Sequence, residues 1–372
     1  MARPAEANQT LSPVTEGFLV STTDFYGDDN SVDYSLMPEM CEKQDVQEFG
    51  KVYQPCIYFL VFLLGVVGNG LVLITYVYYR KIKCMTDIYL LNLALADLLL
   101  LSTLPFEAIT AVSGWIFGSQ MCKIVQSLYT INFFSGFLFL TCISIDRYIV
   151  IVQAATAHRL RLKIVYYSKI ISMVVWLLSV LLTLPQLIYS KVELREKVFL
   201  CRMIFPEEVT KTVKGISGFT QIILGFIVPF LVMIFCYSII IKTLLGARNF
   251  EKHKALKVII VLVIVFVVFQ FPYSLVMFLD TTDFLWSREM SCKESKQKDV
   301  AIIVTSSLAF TRCCLNPVLY AFVGVKFRKD VLHLMKNRGC LTQAQYTKFV
   351  GKYGTSHQHS YSTAGETSSL TL

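Results

Sequence analysis

The sequence predicts an all-α membrane protein: a seven-helix transmembrane bundle followed by a short amphipathic helix on the membrane surface. Its 372 residues are 55% hydrophobic and only 16% charged, with a mean hydropathy of +0.56. A hydrocarbon core about 30 Å thick needs roughly 20 apolar residues per helix, and seven runs of the chain reach that length. Short basic segments separate several of these runs, as the loops of a membrane protein require.

The seven apolar runs are long and almost free of charge, which a soluble core would not supply so many times over. They occupy residues 55–79, 88–112, 124–145, 170–190, 215–241, 258–279 and 300–325. Basic segments follow the first, third, fifth and seventh runs, and basic loops remain in the cytoplasm. The N-terminus is therefore expected outside the plasma membrane and the C-terminus inside. These segments read RKIKCM, HRLRLK, ARNFEKHKALK and KFRKD.

Four segments are expected along the chain. Residues 1–54 form an extracellular acidic arm and residues 55–325 the bundle, whose first helix acts as a signal anchor because about 50 polar residues precede it. Residues 326–337 alternate bases with apolar side chains, as amphipathic surface helices do. The cytoplasmic tail spans 338–372, and its Ser/Thr-rich part, 342–372, is expected to lack fixed structure. Its hydroxyl groups are candidates for receptor kinases and arrestin, with a plain solubilising tail as the alternative.

Charge is distributed unevenly between the two sides of the predicted membrane. The formal net charge is +9, yet residues 1–54 carry ten acidic and three basic side chains. Nucleic acid is an unexpected partner, since the basic clusters lie where topology requires them. An acidic exterior instead favours a basic extracellular ligand.

Three positions in the arm are candidates for modification. Tyr26 and Tyr34 stand beside acidic residues, as tyrosine sulfation requires; a merely disordered acidic arm is the equally weighted alternative. Asn8 begins an Asn-Gln-Thr sequence that fits N-glycosylation.

Four of the eleven cysteines, Cys41, Cys122, Cys201 and Cys292, fall in predicted extracellular positions, where disulfides form. Four cysteines allow three pairings, and the sequence alone does not choose among them. Their positions relative to the predicted helices favour Cys122 with Cys201 and Cys41 with Cys292. Cys340 follows the amphipathic segment and is a candidate for palmitoylation.

Ionisable side chains inside predicted helices are energetically expensive and usually face a partner or cavity. Asp97 and Arg312 fall at similar depth in the second and seventh helices, so a direct or water-mediated interaction between them is expected. Glu107 lies near the outer end of the second helix, and Asp146 and Arg147 at the inner end of the third.

Each predicted helix from the second to the seventh, except the third, contains a proline in its interior. Proline removes a backbone donor and clashes with the preceding turn, so each is expected to interrupt or kink its helix. Asn316 and Pro317 together are expected to break the seventh helix. The five positions are Pro105, Pro185, Pro229, Pro272 and Pro317.

Short motifs in successive helices together resemble the rhodopsin-like G-protein-coupled receptors. They are GNGLV around Asn69, LALADLL around Asp97, DRY at 146–148, Trp176, Pro229, FP at 271–272 and NPVLY at 316–320. Finer motifs, among them TLP at 103–105, GWIFG at 114–118 and the Cys41/Cys292 pair, are similar to those of the chemokine receptors.

The resemblance implies a C-C chemokine ligand, an inhibitory heterotrimeric G protein as partner and leukocyte migration as the output. It implies no enzymatic activity, cofactor or metal. The residues expected to face the ligand are Tyr26, Tyr34, Tyr58, Glu107, Tyr129, Tyr273, Asp280 and Ser306. The residues expected to switch during activation are Asp97, Asn132, Asp146, Arg147, Tyr148, Tyr237, Gln270, Pro272, Arg312, Asn316, Pro317 and Tyr320.

The chain departs from the common pattern at four positions. Gln270 replaces a Trp of the superfamily, and Val150 replaces the usual Ala after the DRY motif. Glu107 and Ser306 stand where many relatives have Trp and Glu, respectively. We therefore expect Glu107 to contact a basic ligand, with a water-exposed rim carboxylate as the alternative.

Other classes of protein fit the sequence less well. No metal-ligand spacing or catalytic motif is present, and residues 300–325 contain no lysine to hold retinal. The two halves lack the internal similarity of inverted-repeat transporters. A scavenging chemokine receptor without G-protein signalling is the nearest competitor, although its members often depart from the DRY motif, which is intact here.

Overall fold

The computed structural model describes residues 41–78, 85–195, 198–245, 251–323, 325–337, 339 and 341–354. The chain divides into two units, Met1–Cys41 and Glu42–Leu372. Cys41 is the one residue of the first unit that is described, so the architecture below is that of the second unit.

Twelve α-helices and one β-hairpin make up the described part of the second unit. The strands are β1 (Ser190–Arg195) and β2 (Val198–Met203). The helices are α1 (Gln44–Tyr78), α2 (Met85–Leu101), α3 (Leu104–Ser113), α4 (Gly118–Val152), α5 (Ala154–Leu182), α6 (Leu184–Tyr189), α7 (Thr210–Ile222), α8 (Val228–Leu245), α9 (Glu251–Leu285), α10 (Cys292–Val323), α11 (Val325–Asn337) and α12 (Gln343–Gly354).

Six helical stretches within the described residues are long and apolar enough to cross a membrane. They are Gln44–Val77, Met85–Ser113, Gly118–Val152, Val165–Tyr189, Thr210–Leu245 and Cys292–Pro317. The remaining predicted run, 258–279, lies inside α9. Many large apolar side chains on these helices are exposed, which suits surfaces that face lipid.

The prolines act differently from helix to helix. Pro105 and Pro185 stand in the first turns of α3 and α6, so the second and fourth predicted runs are each divided into two helices. Pro272 and Pro317, in contrast, lie inside α9 and α10, which continue past them. The expected break of the seventh helix at Asn316 and Pro317 is therefore wrong.

The fifth predicted run contains a π-helical turn, Ile223–Ile227, between α7 and α8 and just before Pro229. A methyl group at Gly225 would come within 2.1 Å of the Phe133 ring on α4. The glycine therefore makes room for Phe133, which belongs to the largest buried apolar cluster of the bundle. The π-helical turn and the absence of a side chain at Gly225 together let α4 pack closely against the segment that joins α7 and α8.

The β-hairpin joins α6 to the α7 side of the bundle and was not predicted. Its strands pair antiparallel with Val192 opposite Cys201. A disulfide links Cys201 to Cys122 in the first turns of α4. The backbone N–H of Trp115 donates to the carbonyl oxygen of Phe199 at 2.7 Å, which gives the hairpin a second attachment.

Two helices follow the bundle. The predicted helix 326–337 is present as α11, and its Val331 packs against a buried cluster of Val72, Tyr76 and Ala94. The second, α12, occupies a segment that we expected to lack fixed structure, so that expectation is wrong for Gln343–Gly354. Residues 355–372 lie outside the described residues.

Candidate functional site

Two polar regions lie at opposite ends of α4, with a charged cluster between them. We call the end with the hairpin and the Cys122–Cys201 disulfide the hairpin end, and the end with Asp146 and Arg147 the DRY end. The cluster between them contains Asp97 and Arg312 and is called the central cluster.

At the hairpin end, aromatic rings connect α1, α10 and α4. The ring of Phe310 lies 5.3 Å from that of Tyr58 and 5.6 Å from that of Tyr129, both in edge-to-face contact. The Tyr129 and Tyr273 hydroxyl groups interact in turn. The structure thus brings together three of the predicted ligand contacts. Tyr58 and Tyr273 are buried in the packing, as Phe310 is.

Glu107 lies on α3 in this region, and its side chain is half-buried. Among the described residues it has no hydrogen bond and no ion pair. Its carboxylate is close enough to the Tyr58 hydroxyl group for an electrostatic interaction. Ser306 donates to the carbonyl oxygen of Ile303 in its own helix at 3.1 Å. Within the part of the chain that the structure describes, Glu107 is therefore an acid without a counter-ion.

Asp280, the other acid predicted to meet the ligand, already has a partner. Its carboxylate lies 2.9 Å from Nζ of Lys298 on α10, and Asp283 lies 3.9 Å from the same amine. Lys214, on α7, places its amine 3.8 Å from the ring centroid of Phe284. A basic ligand would have to compete with Lys298 for Asp280, whereas no described base competes for Glu107.

The central cluster joins four buried side chains of α2, α4 and α10. Asn132 donates to Asp97 at 3.1 Å, and Asn316 donates to the second oxygen of Asp97 at 2.7 Å. Nη2 of Arg312 donates to the side-chain oxygen of Asn132 at 3.2 Å. We expected Asp97 and Arg312 to interact directly or through water, and the side-chain amide of Asn132 contacts both of them.

The guanidinium group of Arg312 is only 4% exposed, and other contacts hold it. It lies 5.0 Å from the centroid of the Phe137 ring, within the range of a cation–π interaction. A methyl group at Gly136 would approach its Nη1 to 3.1 Å, so the glycine makes room for it. The Nε and Nη1 atoms have no hydrogen-bond partner among the described residues.

At the DRY end, Thr86 of α2 connects the two charged residues of the motif. Its hydroxyl group donates to Asp146 and accepts a hydrogen bond from Nη2 of Arg147 at 2.7 Å. Because one hydroxyl group serves both partners, Asp146 and Arg147 are joined through α2. Asp87, the next residue, accepts a hydrogen bond from Tyr76 at 3.2 Å.

The remaining predicted switch residues lie in the packed interior or beside it. The hydroxyl group of Ser144 donates to that of Tyr237 at 2.8 Å, which ties α4 to α8. The Tyr148 ring lies 6.4 Å from that of Phe235. Gln270 is 2% exposed, and its Nε2 has no partner among the described residues.

Several predicted residues cannot be compared with the structure. Asn8, Tyr26, Tyr34 and Cys340 lie outside the described residues, and so does the side chain of Tyr320. Cys292 is disulfide-bonded; its pairing with Cys41 stays a prediction.

Sequence reasoning missed Thr86, Lys298 and Gly136. Thr86 and Lys298 matter only because of partners that are distant along the chain, and no local pattern marks them. Gly136 precedes the aromatic partner of Arg312, but a single glycine in a helix has many explanations. No group of three metal-ligating side chains occurs among the described residues.

Comparison with known proteins identifies the family. The family model "7 transmembrane receptor (rhodopsin family)" matches residues 68–320. Human C-C chemokine receptor type 7 is 47% identical over 327 residues, which cover 87% of this chain and 85% of that receptor. The chain belongs to the chemokine receptors of the rhodopsin family. The expected fold class is confirmed, and the family consists of receptors rather than enzymes.

Two other human chemokine receptors match this chain with a similar sequence identity. Human type 10 is 49% identical over 318 residues, covering 85% of this chain and 88% of its own length. Human type 9 is 43% identical over 323 residues, covering 87% and 88%, respectively. The motifs AHRLR, ARNFEKHKALKVII and TRCCLNPVLYAFVGVKFRKD favour type 7 and the GCLTQAQ segment type 9, whereas type 10 was not anticipated.

Proposed function

We propose that this protein is a signalling C-C chemokine receptor of the plasma membrane, with its N-terminus outside the cell and its C-terminus inside. A basic chemokine binds at the hairpin end, and an inhibitory heterotrimeric G protein is activated at the DRY end. The observation that carries the signalling part of the proposal is the intact Asp146–Arg147 pair, joined to α2 through Thr86.

Ligand binding is proposed to occur in two steps. The acidic arm, 1–54, attracts the basic body of the chemokine, and sulfation of Tyr26 and Tyr34 would strengthen the attraction. A basic group of the ligand then reaches Glu107, whose charge no described residue neutralises. The pairing of Cys41 with Cys292 is part of the proposal.

Signal transfer is proposed to run through the bundle to Arg147. Ligand contacts near Tyr129 and Tyr273 are adjacent to the buried cluster that includes Tyr237. A shift of α8 and α9 would separate Tyr237 from Ser144 and release Arg147 from Thr86. A free Arg147 would then be available to the G protein.

Type 7-like ligand selection is the branch that we propose, because several long motifs favour it. Types 9 and 10 remain the alternatives, since their identities lie close to that of type 7. By analogy with type 7, the output is leukocyte migration.

Three further features belong to the proposal. Receptor kinases and arrestin act on the Ser/Thr-rich tail 338–372. Asn8 is glycosylated and Cys340 is palmitoylated.

A scavenging receptor is the second candidate, and one sequence feature favours it. Val150 replaces the usual Ala after the DRY motif and lies close to the surface where a G protein would bind. A scavenger would bind and internalise chemokine without lowering cAMP.

The test is inhibition of cAMP, sensitive to pertussis toxin, in cells that express the receptor and are exposed to a panel of chemokines. A response to type 7 ligands supports both signalling and the branch. A response only to type 9 or type 10 ligands moves the receptor to that branch. Ligand uptake without any cAMP response identifies a scavenger. The variant Arg147→Ala, at matched surface expression, serves as the control for G-protein coupling.

A further inference from the structure

Helix α12 lies within the tail 338–372, but the function proposed above does not explain why this segment is helical or why it contacts α11. The Tyr346 ring lies 6.2 Å from the His333 ring, and Nζ of Lys336 lies 5.1 Å from the Tyr346 centroid. Thr342 and Gln345 cap the first turn reciprocally, each side chain accepting a backbone N–H of the other at 3.3 and 3.0 Å. The helix therefore has its own start signal and a docking surface.

The chain itself sets the position of α12 relative to the membrane. α10 crosses the membrane and ends at Val323, and α11 begins at Val325. Val331 packs against the α1 and α2 cluster, so α11 remains beside the bundle. Because α12 contacts α11 through Tyr346, it also lies near the boundary between bundle and lipid.

The charge of this helix pair is strongly positive. Residues 326–354 contain seven Lys or Arg side chains and one acid, Asp330. Of these basic residues, Lys336 and Lys348 have described side chains, and the side chain of Lys348 is exposed. Clusters of four to eight bases next to a membrane-spanning helix attract the anionic lipids of the inner leaflet.

Aromatic side chains accompany the positive charge. Tyr346 and Phe349 are three residues apart, which places them on the same side of α12. Tyr346 uses this face to contact α11, while Phe349 is 44% exposed. A basic helix that exposes an aromatic side chain is typical of helices that lie in the membrane interface.

We propose that α12, docked on α11, is a second membrane-surface helix that binds anionic lipid headgroups. The exposed Lys348 attracts the phosphate and carboxylate groups, and Phe349 enters the interface. Lipid is favoured over a protein partner because α12 follows a spanning helix so closely that a bilayer always lies next to it, and because its charge complements that bilayer.

The test is hydrogen exchange of the α12 amides in the full-length receptor. The receptor is reconstituted into nanodiscs of phosphatidylcholine alone or with about one-third phosphatidylserine. We expect exchange across Gln343–Gly354 to be about 10-fold slower in the anionic discs, a difference that diminishes at high salt. The double variant Lys348→Glu/Lys352→Glu should remove the difference between the two lipids.

The control is Lys51→Glu/Lys191→Glu, which changes the charge equally at two exposed positions in α1 and β1 and should preserve the difference. Equal protection in both lipids would overturn the proposal, since α11 alone would then hold α12. Rapid exchange in both lipids would overturn it as well. Protection that appears only on addition of purified G protein or arrestin would assign the surface to a protein instead.

Discussion

At the scale of single residues, the two acids of the hairpin end differ in what surrounds them. Asp280 is neutralised by Lys298, whereas Glu107 has no counter-ion among the described residues. A half-buried carboxylate gains more from a basic ligand when no internal amine competes for it. Glu107, which departs from the usual sequence pattern, is thus a better candidate for ligand recognition than Asp280.

Replacing Glu107 with Gln should lower chemokine potency about tenfold, since a hydrogen bond to a charged group contributes about 1.5–3 kcal/mol. The matched control is Asp280→Asn, whose effect should stay under about threefold because Lys298 already shields that acid. Potency is measured as inhibition of cAMP at equal surface expression. Unchanged potency of the Glu107→Gln variant would reject the ligand contact.

The central cluster also predicts how the receptor responds to sodium. Many related receptors bind sodium at the acid equivalent to Asp97, but here both of its oxygens accept amide hydrogen bonds, and Arg312 lies one side chain away. A permanent positive charge so close disfavours a cation. Agonist affinity should therefore be the same in sodium and in potassium chloride of equal concentration. Sodium-specific loss of affinity that disappears in Asp97→Asn would contradict this.

At the scale of helices, hydrogen bonds between polar side chains connect neighbours that otherwise meet through apolar packing. Thr86 connects α2 to α4 through both residues of the DRY motif, and Ser144 connects α4 to α8 through Tyr237. Each such bond forms in surroundings that contain few competing donors. Loss of one bond should therefore change the balance between receptor states rather than unfold the bundle.

The variant Thr86→Val keeps the size and β-branching of the side chain but removes both hydrogen bonds. We expect basal G-protein activation to rise about two- to fivefold, because a bond worth about 1 kcal/mol no longer holds Arg147. Thr86→Ser retains the hydroxyl group and should behave like the original receptor. Basal activity is measured without ligand by GTP exchange in membranes with matched receptor amounts. Equal activity of the Val and Ser variants would show that Thr86 does not restrain Arg147.

The helices also show how far the sequence could predict the structure. Long apolar runs predicted the spanning helices because lipid leaves a run of that length few alternatives. The breaks were less predictable: α2 and α5 end just before Pro105 and Pro185, while α10 passes through Pro317. Each proline removes one backbone hydrogen bond, and contacts with neighbouring helices determine whether the helix continues past it.

Helix α12 and the Lys298–Asp280 ion pair were missed for different reasons. The Thr342–Gln345 cap and the spacing of Tyr346 and Phe349 are local signals that the sequence contains, but a hydroxyl-rich composition outweighed them. The pairing of Lys298 with Asp280, in contrast, depends on the approach of α9 and α10, which no local pattern specifies.

At the scale of the whole molecule, charge is separated along the chain. The arm 1–54 has ten acids against three bases, although the full chain carries +9. Near the start of α1, one acid and one base of this segment already have partners in α10. Lys296 lies 3.0 Å from Asp45, and Lys43 lies 2.6 Å from Asp299. The acids upstream, outside the described residues, are therefore the ones proposed to attract a ligand.

Long-range attraction of this kind acts on the rate of association and is weakened by salt, whose screening length is about 10 Å at 0.1 M. The chemokine association rate should fall about tenfold between about 0.05 and 0.3 M salt. Changing Asp24, Asp28, Asp29 and Asp33 to Asn should lower that rate and flatten its dependence on salt. The dissociation rate should change little, since it depends on close contacts such as Glu107. Surface plasmon resonance on the immobilised receptor measures both rates. If salt changed only the dissociation rate, the arm would hold the bound ligand rather than attract the free one.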